Sequence, residues 1–237
     1  MPTSIPSRIL LLVVLLSGLL MTGLSRAEQI VVNAFGDSIT TGYPYWTGTD
    51  GNGCLPSSCG GGYRAPLQTL LQNNGRNAVV QNWGRRGDTT ATGLARIDSV
   101  LTASTPRYIL LMEGTNELYY GSAQTVRDNL ALMIDKAAAR GVIPILGTFS
   151  PDPRYPETNI PAANALLKEL ALKKNIALAD HFAALIDNWS QLSWTDRFHP
   201  NTAGYTIMAQ VWAEAIQAAD RMNAPDLTPI LMLLLDE

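Results

Sequence analysis

Short, almost wholly apolar runs alternate with longer stretches whose apolar residues recur every three or four positions, from Ile30 nearly to the end of the chain. The runs Ile30 to Phe35, Ala78 to Asn82, Tyr108 to Met112, Val142 to Thr148 and Ile176 to Ala179 are too brief for typical helices. They are also too uniformly apolar for strands with one wet face, which predicts strands buried on both faces of a parallel sheet. Between them, Val126, Leu130, Met133, Ile134 and Ala137 repeat at helical spacing up to Arg140-Gly141, a helix stop. Similar patterns cover Ala65 to Gln72, Ala91 to Leu101, Ala162 to Lys173 and Ala203 to Ala219. The strand-helix alternation predicts an α/β fold: a three-layer α/β/α sandwich on a doubly wound, mainly parallel five-stranded sheet. In such folds the loops that follow strand C-termini share one edge of the sheet, where ligands bind. Ser38, then Gly84 and Gly87, then Asn116 follow the first three runs and converge there.

The two ends of the chain depart from this rhythm. Arg8, an apolar run from Ile9 to Met21 and the small residues before Ala27 have the pattern of a secretory leader. The run falls short of the roughly 20 apolar residues a membrane span needs. Cleavage after Ala27 is expected, giving a leader over 1–27 and a single domain over 28–237; a retained anchor is the alternative. Export implies a secreted or periplasmic protein. The apolar tail at 227–237 is too short to span a bilayer and is expected to pack on the body.

Charge and cysteine content narrow the class further. The chain has 17 basic and 20 acidic residues, and Arg8 and Arg26 fall in the leader, so nothing attracts a polyanionic nucleic acid. Cys54 and Cys59, within GNGCLPSSCGGG, are expected to form a local disulfide in an oxidising compartment. They have too few neighbouring ligands for a metal site. No metal or organic cofactor is expected.

The candidate chemistry lies at opposite ends of the domain. Histidine occurs only at positions 181 and 199. His181 directly follows Asp180 at the end of an apolar run, and reads as a surface or packing residue on extended chain. His199 follows Asp196 by three positions, a spacing that lets the carboxylate orient one ring nitrogen while the other faces a hydroxyl. Ser38 stands at a strand-to-helix transition, where it serves either as a nucleophile or as a helix N-cap. No G-x-S-x-G elbow is present, which argues against the α/β-hydrolase arrangement. The glycines of NWGRRGDTT allow close backbone approach to a substrate, and Asn116 can donate to a developing oxyanion; turns are the alternative use of both.

Taken together, FGDSIT, NWGRRGDTT, EGTNE and DRFHPN resemble, in order, the four blocks of the SGNH, or GDSL-type, hydrolase superfamily. The resemblance extends from about Val31 to Ala219. It implies an ester hydrolase with Ser38 as nucleophile, His199 as general base and then acid, and Asp196 as its orienting partner. It also implies an oxyanion hole built from Ser38, Gly87 and Asn116, with Gly87 preferred over Gly84 because Asp88-Thr89 follows it directly. Gly84 is then a turn residue. The sequence departs from the family pattern at Glu117, where the third block usually has Asp, and at Ile39, where the nickname has Leu.

The segments between these blocks bear on the substrate. Tyr43, Trp46, Tyr119 and Tyr155 are candidates to line an acyl pocket or stack on sugars, and amphipathic surface cover is the other reading. Short-chain acyl, aryl or lipid esters are the expected substrates, with a carbohydrate acetylesterase as the alternative. A non-catalytic glycan- or lipid-binding module is a third class, although every chemical position is retained. A flavodoxin-like nucleotide binder would need a phosphate-binding glycine motif that the chain lacks.

Overall fold

A computed structural model describes residues 28–45, 61–157 and 159–225. The leader, Trp46, the Cys54/Cys59 segment and the tail at 227–237 lie outside the described residues.

Five strands form one sheet: β1 (Ile30–Gly36), β2 (Ala78–Gly84), β3 (Tyr108–Met112), β4 (Ile143–Gly147) and β5 (Leu178–Ala179). Their order is β2-β1-β3-β4-β5, and every pairing is parallel. The expected α/β sandwich is therefore present, with the sheet reversing direction of growth at β1. Eight α-helices accompany it among the described residues: α1 (Ser38–Thr41), α2 (Arg64–Asn73), α3 (Thr90–Ser104), α4 (Ala123–Ala138), α5 (Asn159–Lys174), α6 (His181–Leu185), α7 (Trp189–Leu192) and α8 (Thr202–Met222). No helix among the described residues is long and apolar enough to cross a membrane.

The alternation of side chains along each strand divides the core in two. Val32, Ala34, Leu110 and Ile145 pack with Leu67 of α2 and with Met208 and Trp212 of α8. Phe35, Ile109, Leu111 and Leu146 pack with Ile97 of α3, Leu130 and Met133 of α4, and Leu167 of α5. Burying β3 over all five of its residues explains why YILLM is unbroken by a polar position. Asn33, fully buried on β1, escapes an unmet donor by giving its Nδ2 proton to Ser104 Oγ at 2.6 Å.

His181 is not on extended chain. It opens α6, with Asp180 as the N-cap accepting from the Ala183 N–H at 3.2 Å. Its ring is fully buried 4.6 Å from the ring of Trp212, and burial pushes its pKa down to about 3, so it is a neutral packing residue. Helices as short as α6 and α7 carry too few turns to show a period in the sequence.

Two glycines bring distant backbone together near the site. Gly42 ends α1 in the left-handed region at φ 91°, and a Cβ on it would lie 2.2 Å from the Gly62 nitrogen. Gly62 at φ 61° would meet Gly42 Cα at 2.6 Å in the same way. The chain at 42 and the chain at 61–62 are thus held in backbone contact.

Candidate active site

Ser38, Gly87 and Asn116 follow the C-terminal ends of β1, β2 and β3. β1 closes on Gly36, where a Cβ would stand 2.1 Å from the Met112 carbonyl oxygen, so only glycine lets β1 and β3 approach here. Asp37 then caps α1, its Oδ1 accepting from the Ile39 N–H at 2.9 Å. Burial pushes the Asp37 carboxyl up to about 7, opposed by the Ile39 N–H and by Arg154. Because Asp37 is the cap, Ser38 becomes the first helical residue and its hydroxyl is available for another partner. That partner is His199: Ser38 Oγ donates to Nε2 at 2.7 Å.

The histidine is fixed by its own loop. Asp196 Oδ2 accepts from His199 Nδ1 at 2.8 Å, and Asp196 Oδ1 accepts the backbone N–H groups of Phe198 at 3.1 Å and His199 at 3.0 Å. A carboxylate can only accept, so the proton sits on Nδ1 and Nε2 is left as the acceptor for Ser38. Arg197 takes φ 67° to make this tight turn, and Asn201 ties its far end to the Gln191 and Ser193 carbonyls at 2.7 and 3.2 Å. Burial lowers the His199 pKa below the ordinary imidazole value, Asp196 pulls it partly back, and Arg154 lowers it further. For Asp196, burial raises the pKa, but the hydrogen bonds from His199 and Phe198 outweigh it and hold the carboxyl below its usual range.

Gly87 and Asn116 lie across the same cavity, of about 650 Å³, which is also lined by Ser38, Arg85, Arg86, Arg154, Phe198 and His199. Gly87 holds φ 75°, with no atom within 4 Å of where a Cβ would be, so the residue needs glycine for its backbone and not for space. Asn116 Nδ2 donates one proton to the Asp88 carbonyl at 3.0 Å, which leaves a second amide proton for a ligand. Ser38, as the first residue of α1, has an N–H without a partner inside the helix. Gly84, expected at a turn, is instead the last residue of β2, where a Cβ would lie 2.5 Å from the Thr41 nitrogen.

A buried arginine fastens the loop that carries Gly87. Arg96 of α3 donates from Nε to Asp88 Oδ2 at 2.6 Å, and to the Trp83 and Gly36 carbonyls at 2.8 and 3.2 Å. Its Nη2 also lies 3.3 Å from Glu113 Oε1. That single long contact, from a guanidinium shared four ways, does not offset the burial of Glu113, whose pKa is pushed up to about 9. Beside it, Glu117 Oε2 accepts from the Thr90 N–H at 2.9 Å and from the Thr90 hydroxyl. The longer side chain that departs from the family pattern therefore caps α3 and ties the Asn116 loop to the Gly87 loop. Arg96 did not stand out in the sequence; an Arg eight residues after Asp88 on the inner face of α3 was the available signal, and Glu117 stood out only as a departure from the family pattern.

The aromatic candidates divide. Tyr43 packs its ring 4.6 Å from that of His199, and Phe198, not singled out from the sequence, packs at 4.2 Å. Tyr119 is 62% exposed and does not line the cavity. Tyr155 is buried and donates its hydroxyl proton to the Thr115 carbonyl at 2.5 Å, so it supports the Asn116 loop from beneath. The ring of Tyr119 lies 5.8 Å from that of Tyr155 and 5.1 Å from that of Tyr120, and neither Tyr119 nor Tyr155 lines the cavity at Ser38.

Comparison with known proteins gives the family. The model of the GDSL-like lipase/acylhydrolase family matches residues 34–207, and the chain belongs to that family. It is an SGNH-type carboxylic ester hydrolase. Esterase TesA of Pseudomonas aeruginosa is 28% identical over 207 residues, covering 86% of this chain and 96% of that protein. An arylesterase of Vibrio mimicus is 23% identical over 68% of this chain and 86% of its own length. A crystal structure of TesA superposes with a TM-score of 0.67 at 24% identity, covering 80% of this chain and 99% of that one, a likeness of fold.

Proposed function

We propose that Ser38 is the nucleophile of an exported esterase acting on short-chain acyl, aryl or lipid esters, and that His199 and Asp196 drive it. The observation that carries the proposal is the unbroken relay from Ser38 Oγ to His199 at 2.7 Å and on to Asp196 at 2.8 Å, facing an open cavity. His199 Nε2 takes the Ser38 proton as Oγ attacks the ester carbonyl, and Asp196 stabilises the imidazolium. The N–H groups of Ser38 and Gly87 and the Asn116 amide receive the oxyanion. The imidazolium then protonates the leaving alkoxide. In the second half, water that His199 deprotonates attacks the acyl-Ser38 carbonyl, the bond to Oγ breaks to release the carboxylic acid, and the imidazolium returns its proton to Ser38 Oγ. The similarity to an esterase and an arylesterase favours small esters, and the leader pattern favours export.

The test is turnover by the leaderless protein and its Ser38→Ala variant on aryl esters of increasing acyl length, a lysophospholipid and acetylated xylan. Turnover limited to the unmodified protein, on aryl or lipid esters, supports the reading. Equal turnover by both proteins removes Ser38 as nucleophile, and activity confined to xylan replaces the substrate class with a glycan acetylesterase. Mass spectrometry of the protein recovered after expression in a host with an export pathway tests the cut after Ala27.

A further inference from the structure

His199 must meet a hydroxyl that follows β1, yet the turn that carries it is built from its own neighbours. The Trp194 N–H donates to the His199 carbonyl at 2.7 Å, the Arg197 N–H to the Trp194 carbonyl at 2.9 Å, and Trp189 Nε1 to the Arg197 carbonyl at 2.8 Å. Asp196 accepts from the Phe198 and His199 N–H groups within the same turn. Among the described residues, the bond to Ser38 is the one hydrogen bond that joins positions 194–199 to chain outside 189–201. That bond is also the one the reaction breaks, so it cannot by itself keep the imidazole aligned.

Side-chain rings supply the other contacts. The Phe198 ring lies 4.2 Å from the imidazole, tilted by 44°, and the Tyr43 ring lies 4.6 Å away, tilted by 49°. Against Phe198 stands Arg154, its Cζ 3.8 Å from the ring centroid, where a guanidinium plane packs on an aromatic face. Arg154 is itself held firmly. Asp152, whose side chain is 1% exposed, accepts from the Arg154 N–H at 3.0 Å, from Nε at 2.9 and 3.1 Å, and from Nη2 at 2.5 Å. The loop that holds both is fastened on either side. Asn164 bonds the N–H and the carbonyl of Phe149 at 2.8 and 3.1 Å, and Tyr155 donates to the Thr115 carbonyl at 2.5 Å. The loop after β4 therefore presents a fixed plane to the residue that precedes His199.

We infer that Arg154 is a positioning residue for the reaction: its guanidinium, held by Asp152, fixes the Phe198 ring and through it the angle at which the His199 imidazole faces Ser38. This rests on the reading of His199 as general base. Neither the relay nor the family membership gives the loop after β4 a part in catalysis. The charged groups that act on the imidazole are Asp196 from its own turn, and Arg154 with Asp152 from that loop. Arg86, 4.8 Å from the Tyr43 centroid on the other side, is common to every variant below and drops out of the comparison.

The experiment measures kcat and KM on 4-nitrophenyl acetate against pH for the leaderless protein, for Arg154→Gln, Arg154→Lys and Phe198→Leu, and for the Arg154→Gln, Phe198→Leu double variant. Circular dichroism checks that each is folded. Arg154→Gln and Phe198→Leu should each lower kcat by about tenfold to a hundredfold with little change in KM, the scale on which a misplaced catalytic group is felt. Because the two side chains act as one unit, the double variant should match the worse single within about twofold. Arg154→Gln removes a cation that disfavours the imidazolium and leaves Asp152 uncompensated, so the acid limb of kcat/KM should move to higher pH. Arg154→Lys keeps the charge and loses the plane, so its kcat should fall by about threefold or more while the limb stays in place. Parental kcat in these variants, losses that multiply in the double variant, a loss confined to KM, or an unmoved limb in Arg154→Gln overturns the inference. If Arg154→Gln does not fold with Asp152 unpaired, the cycle of Arg154→Lys with Phe198→Leu decides by the same criteria of kcat and additivity. If Ser38→Ala abolishes turnover while these variants match the parent, the positioning role falls and the esterase reading stands. Turnover that survives Ser38→Ala removes the esterase reading itself.

Discussion

Glu113 is the most exacting test of the electrostatics behind the site. It is fully buried, its Oε2 has no hydrogen-bond partner among the described residues, and a Cβ on Gly93 would come within 1.7 Å of that oxygen. Burial raises its pKa from 4.5 to about 9, so the folded protein keeps a proton that the unfolded chain gives up. The sign follows from linkage: below the unfolded value both states hold the proton and nothing is lost, and stability declines as pH rises from there towards the folded value. Each pH unit in that window costs about 1.4 kcal/mol, so between pH 6 and pH 8 the loss is roughly 3 kcal/mol. Glu113→Gln has nearly the same shape, keeps an acceptor for Arg96 and cannot ionise. Denaturant unfolding of both proteins at pH 6 and at pH 8 measures the effect, since contributions common to both, such as that of Asp37, cancel in the difference. The variant should gain roughly 3 kcal/mol relative to the parent over this interval. A difference that is the same at both pH values refutes the buried, protonated carboxyl.

The relay and the loops around it give four further expectations. Asp196→Asn replaces an acceptor with an amide that favours the wrong imidazole tautomer, and kcat on an aryl acetate should fall on the order of 10³- to 10⁴-fold. Asn116→Ala should lower kcat on the order of 10²- to 10³-fold with little change in KM, because the lost proton is needed most by the oxyanion. Since activity needs neutral His199 and burial lowers its pKa, the acid limb of kcat/KM should fall below pH 6.5, and a limb at or above that value contradicts the environment described. Glu117→Ala removes the acceptor that caps Thr90, at a cost of about 1 kcal/mol. Calorimetry should record a Tm lower by roughly 2 to 4 °C.

The features legible in the sequence are those that repeat or stand close together. β3 reads as a strand because all five residues are apolar, and α4 reads as a helix because its buried positions hold one period. Asp196 and His199 are legible as a pair because a three-residue turn brings them together without help from the rest of the fold. Contacts assembled across the chain leave no such trace. Tyr43 reaches His199 from the far end of the domain, and Arg96 fastens four groups drawn from β1, β2, the residue after β3 and the Gly87 loop. The same cause hides the bond from Tyr155 to the Thr115 carbonyl, and it explains the one misreading, Asp180-His181, which starts a helix with the imidazole packed on Trp212 of α8.

The backbone contact between Gly42 and Gly62 makes two positions remote in sequence answerable to one another in evolution. It holds the chain at 61–62 against a point just past the helix that presents Ser38. A side chain at either position would drive the two backbones apart, and both φ values lie in the region that favours glycine. A lineage that keeps the Ser38 hydroxyl at its setting must therefore keep both glycines, although neither takes part in the relay.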